Sequence, residues 1–434
     1  MLQSFFDKAC FFDQIRQFST SMVEFPSSLL FRRANDSILS EFILDISETR
    51  VDRSQTVDLL KRLVRINSVN PGLVKGGLGE AEIAAYIADF MRGIGLETTV
   101  QEVRQGRPNV IGVLKGSGDG PSLMLNGHMD TVGIDYMEID PLDPVVKDGN
   151  LYGRGSCDMK GGLAAILAAA QALVDSSLRL RGDLVVAAVC DEEYESIGTE
   201  KIVDTVKVDA AVVGEPTGLH VVIAHKGFAW IDIETQGVAA HGSRPDLGVD
   251  AIVKMSKVLA EIEKLQEHAL PRNRHKLLGP PSIHASTIQG GRELATYPDH
   301  CKLQVERRMI PGENSVDIEN EVKTLLTSIS KTDPAFKSSY HVTLSREPME
   351  VSKNEKICQI LHSTAMEVTR LDSKFVGTGG WLDTQIITSR GIPAIAFGPA
   401  GGGTHASIEY VDIESVIDTA NTLALTAARF CELN

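Results

Sequence analysis

The sequence predicts an α/β fold: a mostly parallel sheet covered on both faces by helices, with a smaller α+β sandwich inserted into it. Three observations carry this expectation. Short runs at 109–114, 122–125, 184–189, 210–213 and 394–397 are apolar on both faces and alternate with helical stretches, as buried parallel strands do. The stretch 229–235 behaves differently, setting Trp230, Asp232 and Glu234 against Ile231 and Ile233, which reads as a strand with one wet face. A length of 434 residues, 43% hydrophobic and 23% charged, suits two or three globular units.

Taken in order, residues 1–50 read as an N-terminal extension with no counterpart in the rest of the pattern. From Ser54, the positions Val57, Leu59, Leu60, Leu63 and Val64 repeat at helical spacing. Residues 80–91 form a second amphipathic helix with Ala84, Ile87 and Phe90 on one side. The longest apolar run, 163–173, is broken by Gln171 and follows Gly161-Gly162; it is too short to span a bilayer and reads as a buried helix. The inserted unit is expected at 225–346, with helices at 251–265 and 316–329 and strands at 282–288, 302–308 and 340–344. That leaves 51–224 and 347–434 as the main domain.

The formal net charge of −15 argues against nonspecific binding to nucleic acid or anionic membranes. The six cysteines form no CxxC pair, which fits a reducing, cytoplasmic setting better than a disulfide framework. The first 50 residues lack a continuous apolar signal core. Arg16, Ser19, Ser21, Arg32 and Arg33 have a transit-peptide flavour that Asp7, Asp13 and Glu24 oppose. There is no GxxxxGK[ST] phosphate loop and no GxSxG serine elbow.

Five places put a metal-capable residue close to a buried element. His128 and Asp130 follow the strand at 122–125, Glu192 and Glu193 the one at 184–189, Glu215 the one at 210–213. His405 follows 394–397 through a glycine-rich turn, and Asp158 precedes the buried helix. In open α/β sheets ligands bind beyond the carboxyl ends of the strands. Two histidines and several carboxylates there suit two divalent ions: zinc, with cobalt or manganese as alternatives. Asp158 is the best candidate for a carboxylate shared between them. Two such ions can activate a water and polarise a carbonyl. One member of the Glu192-Glu193 pair would then stay unligated and move the proton. Asp130, two residues beyond His128, is placed to orient the imidazole.

These residues resemble the M20 metallopeptidase family, which includes acetylornithine deacetylase, succinyl-diaminopimelate desuccinylase, aminoacylase-1 and carboxypeptidase G2. The resemblance spans nearly all of 55–434 and rests on five motifs in order. They are Gly127-His128-Met129-Asp130-Thr131-Val132, the stretch from Gly153 to Gly162 around Asp158, Asp191-Glu192-Glu193, Gly214-Glu215-Pro216-Thr217 and Gly401-Gly402-Gly403-Thr404-His405. It implies that His128, Asp158 and Glu215 hold one ion and Asp158, Glu193 and His405 the other. Glu192 would be the general acid/base and Asp130 the partner behind the His128 ligand. The insertion resembles a lid that is often a dimerisation domain, so a homodimer is implied. His241 matches a lid histidine that polarises the substrate carbonyl, sometimes from the other subunit. Arg308 matches a position for a substrate carboxylate, and Thr378 and Gly379 lie in a substrate loop. The implied activity is hydrolysis of the amide bond of a small N-acyl amino acid, with a dipeptidase or carboxypeptidase as the alternative. A catalytically silent metal-binding scaffold is the reading from another class; it predicts that a ligand or the base is lost, and all are present.

Overall fold

A computed structural model describes residues 49–433, so nearly all of the 1–50 extension lies outside the described residues. Helix α1 (Arg53–Arg65) begins where the Asp52 carboxylate accepts the Gln55 N–H, and it buries Leu59, Leu60, Leu63 and Val64. Helix α2 (Ala81–Gly93) buries Ile83, Ala84, Ile87, Ala88 and Met91. The hairpin β1 (Glu97–Arg104) and β2 (Arg107–Leu114) leads to β3 (Leu123–His128). Two short strands, β4 (Val145–Lys147) and β5 (Asn150–Tyr152), precede α3 (Gly161–Asp175). Next come β6 (Leu184–Val189), α4 (Ile197–Thr205), β7 (Ala210–Val213) and β8 (Val221–His225).

The insertion contains β9 (Gly227–Gln236), α5 (Ala251–Lys264), β10 (Ser282–Gly290), β11 (His300–Met309), α6 (Ser315–Thr332) and β12 (Lys337–Arg346). The chain then returns through β13 (Met349–Glu350), α7 (Lys356–Thr369), β14 (Phe375–Thr378) and α8 (Thr384–Ser389). It closes with β15 (Ala394–Ala396), β16 (Gly401–Gly402), β17 (Tyr410–Asp412) and α9 (Ile413–Phe430).

The large sheet runs β1-β2-β6-β3-β7-β15-β8-β13, with β14 added beside β8. Its centre, β6-β3-β7-β15, is parallel, as expected from strands buried on both faces. Toward its margins β1-β2, β2-β6, β15-β8 and β8-β13 pair antiparallel while β14 joins β8 in parallel, so the sheet as a whole is mixed. Period-2 alternation sorts its residues between two cores. Leu123, Leu125 and Val186 face the helices α1, α2, α3, α7 and α9, while Met124, Val185 and Ala187 face α4 and α8. Among the described residues one helical stretch, Ser156–Asp175, is long and apolar enough to cross a membrane. It is 83% buried and serves as the central core helix.

The inserted sheet, β10-β11-β9-β12, is antiparallel throughout. Helices α5 and α6 cover one face through Met255, Val258, Ile318 and Val322, which meet Ile231, Ile233, Leu303 and Val305. Trp230, Asp232 and Glu234 point to the other face, as their alternation requires.

Candidate active site

The parallel strands bring their carboxyl ends to one edge, and the side chains at those ends converge. His128 is the last residue of β3, Glu192 and Glu193 sit in the turn after β6, and Glu215 lies two residues past β7. Asp158 enters from the turn that opens α3, where Gly162 lets the helix touch the strand end. A Cβ on Gly162 would lie 1.8 Å from the Gly214 carbonyl oxygen. His405 arrives in the loop after β16.

The two oxygens of Asp158 face different histidines. Oδ1 lies 3.1 Å from His128 Nε2 and Oδ2 lies 3.4 Å from His405 Nε2. Glu215 Oε1 is 3.7 Å from His128 Nε2, and Glu193 Oε2 is 3.0 Å from His405 Nε2. Glu192 Oε2, at 3.9 Å from His128 Nε2, is almost as near as Glu215. Distance alone therefore does not separate base from ligand on the His128 side. Candidate ligand atoms of His128, Glu192 and Glu215 lie within 4.8 Å of one another, as do those of His128, Asp158 and Glu193.

The residues fit divalent cations. Glu193 Oε1 and Glu215 Oε1 are buried with no hydrogen-bond partner, and buried carboxylate oxygens need a donor or a cation. The donor set of imidazole and carboxylate oxygen is the one zinc takes at catalytic sites. Electrostatics agree. Burial, and then the Glu215 charge, push Glu192 well above the usual carboxylate range. Burial, and then Asp158, push Glu193 up to about 7. Burial also raises Glu215. Burial opposes the charge on Asp158 too, but its bonds to His128 and His405 outweigh it and hold the carboxyl below its usual value. Hydrogen bonds to Asp158 and Glu193 raise His405 to about 10.

A layer of buried polar groups holds these residues, and most of it is not recognisable from sequence. The His128 Nδ1 is 3.0 Å from the backbone carbonyl of Asp130, whereas the Asp130 carboxylate is 3.6 Å away. Of the two Asp130 acceptors, the carbonyl is the one within hydrogen-bond reach of the ring. The carboxylate instead accepts the N–H groups of Glu192 (3.1 Å) and Glu193 (3.2 Å) and the Asn70 amide (2.7 Å), fixing the turn that carries both glutamates. Asn70 and Arg107 also donate to Asp191, and Arg107 forms a buried ion pair with Glu80. Glu409, fully buried, accepts the N–H groups of Gly155, Cys157 and Asp158 and pairs with Arg154 at 2.7 Å, which sets the Asp158 turn. Asp383, buried beside Glu192, takes a hydrogen bond from Thr199.

A cleft of about 700 Å³ lies over the cluster. Its walls include Asp158, Glu192, Glu193, Glu215, His405, Arg308 and Thr378. Gly379 is not on the wall, though its neighbour Gly380 is. Within one chain His241 is also absent from it. It is exposed in the loop after β9, its Nδ1 2.8 Å from Ser243 Oγ. The physical reason is length. β9 leaves the main domain at Gly227, and its 10 residues carry the loop about 30 Å away at 3.3 Å each.

The sequence of residues 124–429 matches the family described as Peptidase family M20/M25/M40. The acetylornithine deacetylase of Myxococcus xanthus is 31% identical over 371 residues, covering 83% of this chain and 93% of that one. An N-formyl-4-amino-5-aminomethyl-2-methylpyrimidine deformylase of Bacillus subtilis is 29% identical, covering 77% and 86%. Among solved structures, a Staphylococcus aureus tripeptidase matches with a TM-score of 0.75 at 21% identity, covering 88% of this chain and 99% of that one. A dinuclear metal-binding M20 peptidase of Bacillus subtilis matches with a TM-score of 0.65 at 14% identity, covering 87% and 98%.

Proposed function

We propose that this chain, which belongs to peptidase family M20/M25/M40 and is a hydrolase of amide C–N bonds, cleaves the acyl group from a small N-acyl amino acid with the help of two divalent ions. The observation that carries this reading is Asp158, whose two oxygens face His128 and His405 separately. A carboxylate so placed suits a bridge between two cations. His128 and Glu215 would complete one ion's set, and Glu193 and His405 the other's. Zinc fits the donors, and cobalt or manganese are alternatives. Two such ions supply Lewis acidity toward water and the scissile carbonyl.

The chain's own groups do the rest. Glu192 takes a proton from the attacking water and delivers it to the leaving nitrogen. Asp130 holds Glu192 in place through its backbone N–H. Arg308, on the wall of the cleft, receives the substrate carboxylate.

A homodimer formed through the insertion is part of the proposal. β10 is an edge strand; Ile288 on it is 50% exposed, and Ile252 and Val253 at the start of α5 are 43% and 56% exposed. The dimer would also give His241 a cleft to serve, that of the partner. Sedimentation tests this part, and a monomer at micromolar concentration would reject it. The described cysteines are all unpaired, which supports a reducing, cytoplasmic setting.

The experiment is amine release from N-acetyl, N-formyl and N-succinyl amino acids and dipeptides, on protein stripped with chelator and refilled with zinc or cobalt. Hydrolysis of an N-acyl amino acid only after refilling is expected. Folded, metal-loaded protein that turns over dipeptides alone would shift the reading to a dipeptidase. No turnover at all would reject it.

A further inference from the structure

Beyond the cation cluster, the walls of the cleft carry an unusual set of side chains. The chain has two tryptophans, and both Trp230 and Trp381 line this cleft, together with Phe228. The three rings form one group. Phe228 lies 5.2 Å from Trp230 and 6.3 Å from Trp381, the latter nearly edge-on at 85°. Arg308 sits over Phe228 at 5.3 Å and Arg346 over Trp381 at 5.6 Å.

The polar ends of these groups already have partners. Trp230 donates to Glu306 at 3.0 Å and Trp381 to the Glu347 carbonyl at 3.2 Å. Arg308 gives its Nε to Glu306, and Arg346 reaches Glu200 and the Glu195 carbonyl. What remains for a ligand is ring surface and the terminal nitrogens of Arg308, which make no hydrogen bond among the described residues. The carboxylates on the wall are Asp158, Glu192, Glu193 and Glu215, all members of the cation cluster. An ammonium on the substrate side chain, such as that of N-acetylornithine, would meet two guanidiniums and no carboxylate outside the cation cluster.

We propose that the substrate is an N-acyl amino acid bearing an aromatic ring and a free carboxylate, with the ring held by Phe228 and Trp381 and the carboxylate by Arg308. This rests on the deacylase reading above and names its substrate class. Aromatic pairs prefer edge-on and offset contacts at these separations, and the rings are already held by their neighbours, so little ordering is lost on binding. The position of both tryptophans makes binding visible without turnover.

The test is tryptophan fluorescence on zinc-loaded Glu192→Gln protein, titrated with N-acetylphenylalanine, N-acetylleucine and N-acetylornithine. Saturable quenching by N-acetylphenylalanine at a concentration about tenfold lower than for either of the others is expected, the scale of one good ring contact. Trp381→Phe should keep that preference and Trp381→Ala should lose it. Should Trp381→Ala fail to fold, Arg308→Gln serves. It should weaken N-acetylphenylalanine about tenfold and leave its neutral amide unchanged, the scale of a charge-assisted bond. N-acetylornithine binding as well as N-acetylphenylalanine would overturn the inference, and so would equal binding of N-acetylleucine. Turnover of the same compounds by the unmodified enzyme decides the deacylase reading separately, so each can fail alone.

Discussion

Replacing Gly162 by alanine probes the join on which the cation cluster depends. The new Cβ would lie 1.8 Å from the Gly214 oxygen, 2.8 Å from the Gly214 carbon and 3.2 Å from Met159 Cε. Contacts under 3.0 Å do not persist, so helix α3 and the end of β7 must part by about 1.2 Å or more in a core that resists such shifts. Glu215 follows Gly214 directly, and Asp158 lies four residues before Gly162. The separation therefore acts on the two carboxylates that face His128 at 3.1 and 3.7 Å. A displacement near 1 Å at a reacting centre costs about 100-fold in rate. Overpacking costs about 1–3 kcal/mol, against which the better helix propensity of alanine returns at most about 1 kcal/mol. The assay is kcat/KM with the best substrate, bound metal by elemental analysis, and stability by urea unfolding. Gly93→Ala is the control: it is also helical, with nothing within 4 Å of its would-be Cβ. It should be neutral or slightly stabilising with full activity. If Gly162→Ala matched Gly93→Ala in rate, metal content and stability, the claim that this contact sets the cluster geometry would be wrong.

Other substitutions separate the roles further. Glu192→Gln should lower kcat about 10²- to 10⁴-fold while keeping metal content, whereas Glu193→Gln should lose metal; a Glu192→Gln protein that loses metal instead would make Glu192 a ligand. Asp130→Ala frees the N–H groups of Glu192 and Glu193 and should cost about 10- to 100-fold in activity or metal affinity; unchanged values would reduce its role to packing. Glu409→Ala strands a buried Arg154 and should destabilise by about 3–5 kcal/mol in urea unfolding, where a loss under 1 kcal/mol would count against the assignment. Asp333 is held well below the usual carboxylate range by Lys254 and Lys257. Its contribution is therefore present above the unfolded pKa of about 3.9 and lost as pH falls toward the folded value, so Asp333→Asn should flatten the acid limb of the stability curve. A parallel downward shift at every pH would refute that.

The cluster was legible because its chemistry leaves a local mark. Imidazole and carboxylate at the end of an apolar run are conspicuous, and parallel strands put such ends on one edge. The insertion was legible for a similar reason: Trp230, Asp232 and Glu234 alternate with Ile231 and Ile233, which central strands such as β6 do not do. What supports the cluster leaves no such mark. Glu409 holds Asp158 from 251 residues away, and Arg107 meets Asp191 across 84, each through a single side chain with ordinary neighbours. Asp130 was noticed by its spacing from His128, but the atom that meets the ring was not. A residue two positions after His128 can reach the ring with its carbonyl as readily as with its carboxylate, and sequence does not distinguish them.

The crowding that suits cations also sets Asp158 apart from the glutamates around it. Asp158 touches both histidines, and their bonds overcome the burial that would neutralise it, so it keeps its charge. Glu192 has the opposite surroundings. It is buried beside Glu215 and Asp383, with the His128 Nε2 3.9 Å away, and its carboxyl is pushed upward. Burial raises Glu193 and Glu215 as well, so the direction of the shift sets Asp158 apart from all three glutamates, and Glu192 is distinguished by its place in the turn rather than by its shift. The Asp130 clamp then has a clear physical purpose. It fixes the backbone of Glu192 and Glu193 together, so the residue that moves protons and its neighbour that faces His405 keep a constant offset. A rate loss in Asp130→Ala without loss of metal would place the clamp's main effect on Glu192, and loss of metal would place it on Glu193.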